Sequence, residues 1–119
     1  MTAEELMRHF SMGAHIENGS YVEKHYENKS PGRAESGAIY YYVSPDEKTQ
    51  FHVIDCDEYW CYTKGSPLEV WMISPEGELS VHRLGVEADC EPLLFVPRGW
   101  NFASRHAEPV SEGTFLTCI

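Results

Sequence analysis

Apolar residues recur at helical spacing in one place only, at the start of the chain. Thr2 followed by Glu5 is a capping-box pattern, and Leu6, Met7 and Phe10 form an apolar stripe behind it. This predicts a short helix within residues 1–13, ending near Gly13. Beyond it the pattern becomes one of short β-prone runs separated by turn residues. Strands are predicted over 20–26, 38–43, 51–54, 58–63, 68–73, 79–84, 93–96 and 114–119. The breaks are a turn-rich stretch at 28–33 with Pro31 and Gly32, the Ser44-Pro45-Asp46 stop, an acidic corner at 55–57, the Lys64-Gly65-Ser66-Pro67 turn, and a hairpin loop at 75–78. About eight short strands at regular spacing with one helix are the signature of a sandwich or a closed barrel.

Side-chain parity carries the next step, because alternate residues of a strand face the same side. If the corner at 55–57 preserves register, His52, Ile54, Glu58, Trp60 and Tyr62 share one face, and Phe51, Val53, Tyr59, Cys61 and Thr63 take the other. Both sets are largely apolar, as expected when one lines a barrel interior and the other packs on a second sheet or a partner. The even set places His52 and Glu58 among aromatic residues, which is how small-molecule pockets are lined.

Composition narrows the class of function. A chain of 119 residues with 42% hydrophobic and 13% aromatic residues suits one folded domain, 1–119, with the barrel beginning near residue 15. A formal charge of −10 with nine Lys and Arg argues against nucleic acid and against anionic membrane surfaces. The opening MTAEELMRHF has no apolar signal region, and no run approaches the ~20 apolar residues of a membrane span. Cys56, Cys61, Cys90 and Cys118 show neither C-x-x-C nor zinc-like spacing and read as reduced thiols. The expectation is a cytoplasmic protein. The chain stops inside an apolar run, so the last strand is either terminal or followed by further sequence.

The segment from His52 to Gly65 resembles the first motif of the cupin superfamily, H-x-H followed by Glu and then, after six residues, Gly. Pro97-Arg98-Gly99-Trp100-Asn101-Phe102 resembles the second motif, P-x-G-x-x-H. Several ordered segments resemble the fifth cupin subfamily, a domain of unknown function: His15-Ile16-Glu17-Asn18-Gly19, Tyr21 with Glu23, Ala38-Ile39-Tyr40-Tyr41, Asp57-Glu58-Tyr59-Trp60, Gly65-Ser66-Pro67-Leu68-Glu69 and Val96-Pro97-Arg98-Gly99. The resemblance implies an all-β double-stranded β-helix, the jelly-roll cupin barrel, with a short N-terminal α-helix. It also implies a homodimer and a likeness to the sugar-nucleotide epimerases.

The metal site that the motifs imply carries over only in part. His52 and Glu58 are kept, whereas Ile54 and Phe102 occupy the other two ligand positions, and a catalytic metal site generally needs three protein ligands. The expectation is no metal and no cofactor. The subgroup's Pro, Gly pair and Arg are replaced here by Ile16, Asn18 and Val22, and a position often histidine in relatives is Cys61.

What remains is an acid–base pair between aromatic walls. His52 and Glu58 are the candidate catalytic residues, suited to moving a proton on a carbon next to a carbonyl. Glu23, Tyr40, Trp60, Tyr62, Trp100 and Phe102 are the candidate ligand-binding residues. Tyr40 or Tyr42 is the candidate phenol, with Trp100 and Phe102 closing one mouth of the barrel. His82, Arg83, Arg105 and His106 read as surface positions. The function expected is metal-independent binding of a small polar or sugar-like metabolite, with an isomerase or epimerase activity. The alternatives are a non-catalytic binding or sensing module and a metal-dependent enzyme. No Ser/His/Asp triad, phosphate loop or dinucleotide fingerprint is present.

Overall fold

The computed structural model describes residues 1–27 and 36–119, so the turn expected at 28–33 lies outside the described residues. The helix α1 spans Ala3–His9. Its N-terminus is closed by the expected box, in which the Thr2 hydroxyl accepts from the Glu5 amide and the Glu5 carboxyl accepts from the Thr2 amide. The strands are β1 (Gly13–Ala14), β2 (Ser20–Glu27), β3 (Ser36–Val43), β4 (His52–Val53), β5 (Glu58–Gly65), β6 (Leu68–Ile73), β7 (Leu79–Leu84), β8 (Leu93–Val96), β9 (Asn101–Arg105) and β10 (Thr114–Cys118).

They form two antiparallel sheets, one in the order β1-β2-β3-β10-β5-β8 and the other β4-β9-β6-β7. This is the expected all-β jelly roll. Two strands, β1 and β9, go beyond the sequence reading. In β9, Phe102, Ala103 and Ser104 are all buried, so the strand shows no alternation by which it could be recognised. The turn expected at Lys64 begins later, because Lys64 and Gly65 extend β5 and pair with β10.

Apolar side chains of both sheets meet in the interior. Leu68, Val70 and Met72 of β6 alternate inward, opposite Tyr41 and Val43, Trp60, Leu94 and Val96, and Leu116 and Cys118. The outward positions of β3 and β10 are covered by α1: Ala3, Tyr42 and Phe115 are buried together, with Leu6, Met7, Phe10 and Tyr40 packed against them. The helix therefore covers the outer face of the six-stranded sheet at β3 and β10, leaving the inner face to the interior cavity.

Candidate functional site

The site is assembled from three stretches of chain. The first is the corner between β4 and β5. Its 55–57 segment is tied to the turn before β9, because Asp57 Oδ1 accepts from the Arg98 amide at 2.9 Å and the Ile54 carbonyl accepts from the Gly99 amide at 3.0 Å. Register survives the corner, so His52, Ile54, Glu58 and Trp60 all stand on the wall of one cavity of about 490 Å³.

The second stretch is β3 with β10, which supply Ile39, Tyr41 and Cys118 to the same wall. The third is the loop 15–19, whose His15, Ile16 and Glu17 line the same cavity. That loop is closed on itself by the His15 amide donating to the Gly19 carbonyl at 2.9 Å, and it is anchored by the Gln50 amide donating to the Glu17 carbonyl at 3.1 Å. At Gly19 the backbone has φ of 79°, and a Cβ would lie 2.6 Å from the Tyr41 ring. Glycine there is what lets the loop press on Tyr41.

Electrostatics within the cavity follow from these contacts. Burial pushes the Glu58 carboxyl above its ordinary range. The Trp60 indole N–H, donating to Glu58 Oε1 at 2.5 Å, the His52 ring and the Cys118 thiol partly oppose that shift. Cys118 is fully enclosed, and burial together with Glu58 holds it well above the usual thiol range.

His52 places Nδ1 2.7 Å from the Gln50 carbonyl. A carbonyl can only accept, so Nδ1 carries the proton and the neutral ring keeps its lone pair on Nε2. His15 places Nδ1 2.8 Å from Glu17 Oε2, with the Glu17 amide nitrogen 3.1 Å away. The Glu17 amide donates to Nδ1, so in the neutral ring Nδ1 accepts and the proton lies on Nε2. Burial lowers the His15 pKa, His52 lowers it further, and Glu17 opposes the change. The Tyr41 hydroxyl donates to the Asn18 carbonyl. Burial and surrounding anionic groups hold its pKa above the ordinary phenol value.

Several residues expected at the site stand elsewhere. Tyr40 points to the outer face, packed on Phe10 and Phe115 at 4.8 and 5.4 Å between ring centroids. Tyr42 is buried beneath the helix. The inward positions of β3 are odd, so the cavity phenol is Tyr41. Glu23 is exposed on β2 and is not on this cavity wall. Tyr62 continues the Trp60 face but packs on the core and donates to the Gly65 carbonyl at 2.6 Å. Trp100 also packs on the core. Phe102 lies behind the wall rather than at a mouth. It is buried in β9 and packed on His52 at 4.3 Å and Trp60 at 5.8 Å.

His106 is no surface residue either. Thr114 Oγ1 donates to the Ser66 carbonyl at 2.6 Å, so His106 Nε2–H donates to Thr114 Oγ1 at 2.8 Å. His15, Glu17, Ile39, Tyr41, Thr49 and Cys118 are cavity residues to which the sequence reading assigned no role. The visible signal was His15-x-Glu17, an imidazole and a carboxyl two positions apart before a glycine.

The motif-implied metal does not fit this geometry. Ile54 and Phe102 bring carbon surfaces to two of the four ligand positions, and Glu58 is already engaged by the Trp60 indole. Among the described residues no three His, Cys, Asp or Glu side chains converge as a cation site would require.

Two packed antiparallel sheets around a lined interior, with β4 pairing β9 so that His52 lies beside Phe102, define a barrel of the cupin class. The chain belongs to the family described as Cupin superfamily (DUF985), which matches residues 4–119. It is similar to a crystal structure of a Shewanella oneidensis protein, at 29% identity and a TM-score of 0.88 over 99% of this chain and 76% of that one. A hypothetical protein from Leishmania major is similar at 23% identity and a TM-score of 0.82, over 99% of this chain and 80% of that one. Oxalate decarboxylase of Bacillus subtilis shares the fold at 14% identity and a TM-score of 0.67, over 92% of this chain and 27% of that one. No curated protein matches the chain. No helix among the described residues is long and apolar enough to cross a membrane.

Proposed function

We propose that this protein binds a small polar or sugar-like metabolite in the cavity between its sheets without a metal ion, and isomerises it by proton transfer. The observation that carries the reading is the pairing of His52 with Glu58 on one wall of that cavity. The His52 ring turns Nδ1–H to the Gln50 carbonyl, which leaves Nε2 as the free ring nitrogen, beside a carboxyl that burial keeps protonated further up the pH scale than usual. Nε2 would take the proton from a carbon next to a carbonyl while Glu58 gives its proton to the carbonyl oxygen. His52 then returns its proton to the neighbouring carbon of the enediol while Glu58 takes a proton from the hydroxyl of the carbon first deprotonated, which completes an isomerisation with no net change in protons.

A second reading, a binding or sensing module without turnover, is favoured by one specific contact set. The Trp60 indole already donates to Glu58, which suits a fixed recognition element as well as an acid. Native mass spectrometry of the protein as isolated would identify a retained metabolite, and NMR in heavy water would then follow exchange of its carbon-bound protons. Isomerisation predicts exchange that His52→Asn and Glu58→Gln each reduce at least about a hundredfold. Binding without exchange in the unmutated protein favours the second reading, and binding untouched by both substitutions overturns the site.

The homodimer belongs to the same proposal. Tyr59, Leu93 and Phe95 are exposed on the outer face of β5 and β8, with Ile119 exposed next to them, and β8 is an edge strand. An apolar sheet edge of this kind suits a second copy of the chain.

A further inference from the structure

The two imidazoles on the cavity wall are held in opposite tautomers, and the main chain decides both. His52 places Nδ1 against the Gln50 carbonyl at 2.7 Å. A carbonyl has no proton to give, so the neutral His52 ring keeps its lone pair on Nε2. His15 meets the reverse partner. The Glu17 amide donates to His15 Nδ1 at 3.1 Å, so the neutral ring carries its proton on Nε2. In each ring Nδ1 is taken up by the backbone and Nε2 is the nitrogen left over, and both rings line the same cavity.

Protonation does not exchange these roles. Glu17 Oε2 lies 2.8 Å from His15 Nδ1. A proton added to the ring goes to Nδ1, the nitrogen that lacks one, where that carboxylate accepts it. Nε2–H is present before and after, so His15 offers a donor at Nε2 in either charge state and never a lone pair. The ring is also fixed in its plane, packed edge-on to Tyr21 at 5.0 Å and tilted on Tyr41 at 5.4 Å between centroids. His52 acts on the charge of His15, which places the two rings within electrostatic reach of each other.

A donor ring and an acceptor ring in one cavity match a carbonyl compound with a hydroxyl on the next carbon. Its carbonyl oxygen can only accept, and the hydrogen on the neighbouring carbon needs a base. As that hydrogen leaves, negative charge grows on the carbonyl oxygen. A donor already aimed at this atom gains strength with the charge, and so favours the transition state over the bound substrate. A neutral imidazole can serve as such a donor.

We propose that His15 is a third catalytic group of this cavity, whose Nε2–H holds and polarises the carbonyl oxygen of an α-hydroxycarbonyl substrate, and that the Glu17 amide is the positioning group that keeps the ring in its donor form. This deepens the isomerase reading above and rests on it. The carbonyl oxygen has two lone pairs: one takes the His15 hydrogen bond and the other takes the proton of Glu58. The proton on carbon goes to His52 Nε2, and the electron pair of that bond becomes the double bond of the enediol. His15 keeps its own proton throughout and adds nothing to the balance.

Nitrogen NMR of the imidazole rings in the full, isotope-labelled chain tests the arrangement before any ligand is added. At mildly alkaline pH, His15 is expected as the Nε2–H tautomer and His52 as the Nδ1–H tautomer, with signals assigned through His15→Gln and His52→Gln. The same tautomer in both rings overturns the inference. Turnover supplies the second measure, as exchange of the carbon-bound protons of fructose and xylulose in heavy water. A glutamine amide can bring an N–H to the place of Nε2, whereas the shorter asparagine reaches only the place of Nδ1. His15→Gln is expected to keep exchange within about tenfold of the parent, and His15→Asn to lose about a hundredfold in kcat with KM little changed.

A ring that only shaped its loop would not be replaced better by glutamine than by asparagine. Equal losses in the two variants, or unaltered exchange in His15→Asn, overturn the inference and leave His52 and Glu58 in place. Circular dichroism checks the folding of each variant, and the tautomer measurement on the parent decides the matter whether or not a variant folds. If neither sugar nor a metabolite retained by the protein as isolated exchanges its protons, the isomerisation itself is refuted and this inference falls with it.

Discussion

At the scale of single residues, the most consequential group is Glu58. Its carboxyl is placed against Trp60, Cys118 and His52 in an enclosure that disfavours its charge. A folded-state pKa above the unfolded value means that the folded protein holds this proton after the unfolded chain has released it. The contribution of Glu58 to stability is then largest below the ordinary carboxyl value of 4.5 and is lost as pH rises through the raised folded value. Glu58→Gln keeps an acceptor for the indole and removes the titration. The stability of Glu58→Gln relative to the parent should rise as pH increases through that window, as read by urea denaturation at a series of pH values. A difference that stays flat, or falls, would show that the carboxyl is not desolvated as the contacts indicate.

Parity carried through the 55–57 corner was enough to place His52, Ile54, Glu58 and Trp60 on one wall. It was not enough for Tyr40, Tyr41 and Tyr42. Three consecutive tyrosines alternate faces, and nothing in their own order says which face is covered by the helix and which opens on the cavity.

At the scale of elements, the end of β5 and the start of β10 approach each other backbone to backbone. Gly65 has φ of 106°, and a Cβ there would lie 2.0 Å from the Gly113 carbonyl oxygen. The Gly113 carbonyl accepts in turn from the Ser66 amide at 3.0 Å. This gives the motif glycine a physical reason: no side chain fits between the two backbones, and a left-handed conformation is required as well. Gly65→Ala should cost about 3 kcal/mol or more, measured by chemical denaturation. A loss below about 1 kcal/mol, within reach of an ordinary tolerated change, would show that the two strands can separate without penalty.

The helix, by contrast, could be read from its cap. Thr2 and Glu5 form the box, and Leu6, Met7 and Phe10 meet the sheet as their spacing predicts. Strand β9 was hidden because burial across Phe102, Ala103 and Ser104 erases the period of two that identifies a strand.

For the molecule as a whole, the unusual surface is apolar. Phe95 and Tyr59 pack with ring centroids 5.1 Å apart, tilted by 40°, on the outer face of the six-stranded sheet, and each remains 44% exposed. A second copy of the chain covering this face would remove that surface from water. Phe95→Glu should then convert a dimer to a monomer in light scattering coupled to gel filtration, while leaving the far-ultraviolet spectrum unchanged. A parent protein that is monomeric at high concentration, or a dimer indifferent to this change, would remove the face from consideration.

The amino-acid order alone determined the capped helix, most of the strand segments, the inward parity of the 52–60 stretch and the family to which its motifs belong. These properties depend on neighbours within a few positions, through hydrogen-bond caps and alternating faces. Only the tertiary structure decided that His15 and Glu17 stand in the same cavity as His52 and Glu58, and that Tyr41 rather than Tyr40 supplies the phenol. Periodicity states which side of its own strand a residue takes. It does not state which strand or loop lies opposite, because that is set by how the two sheets close on each other.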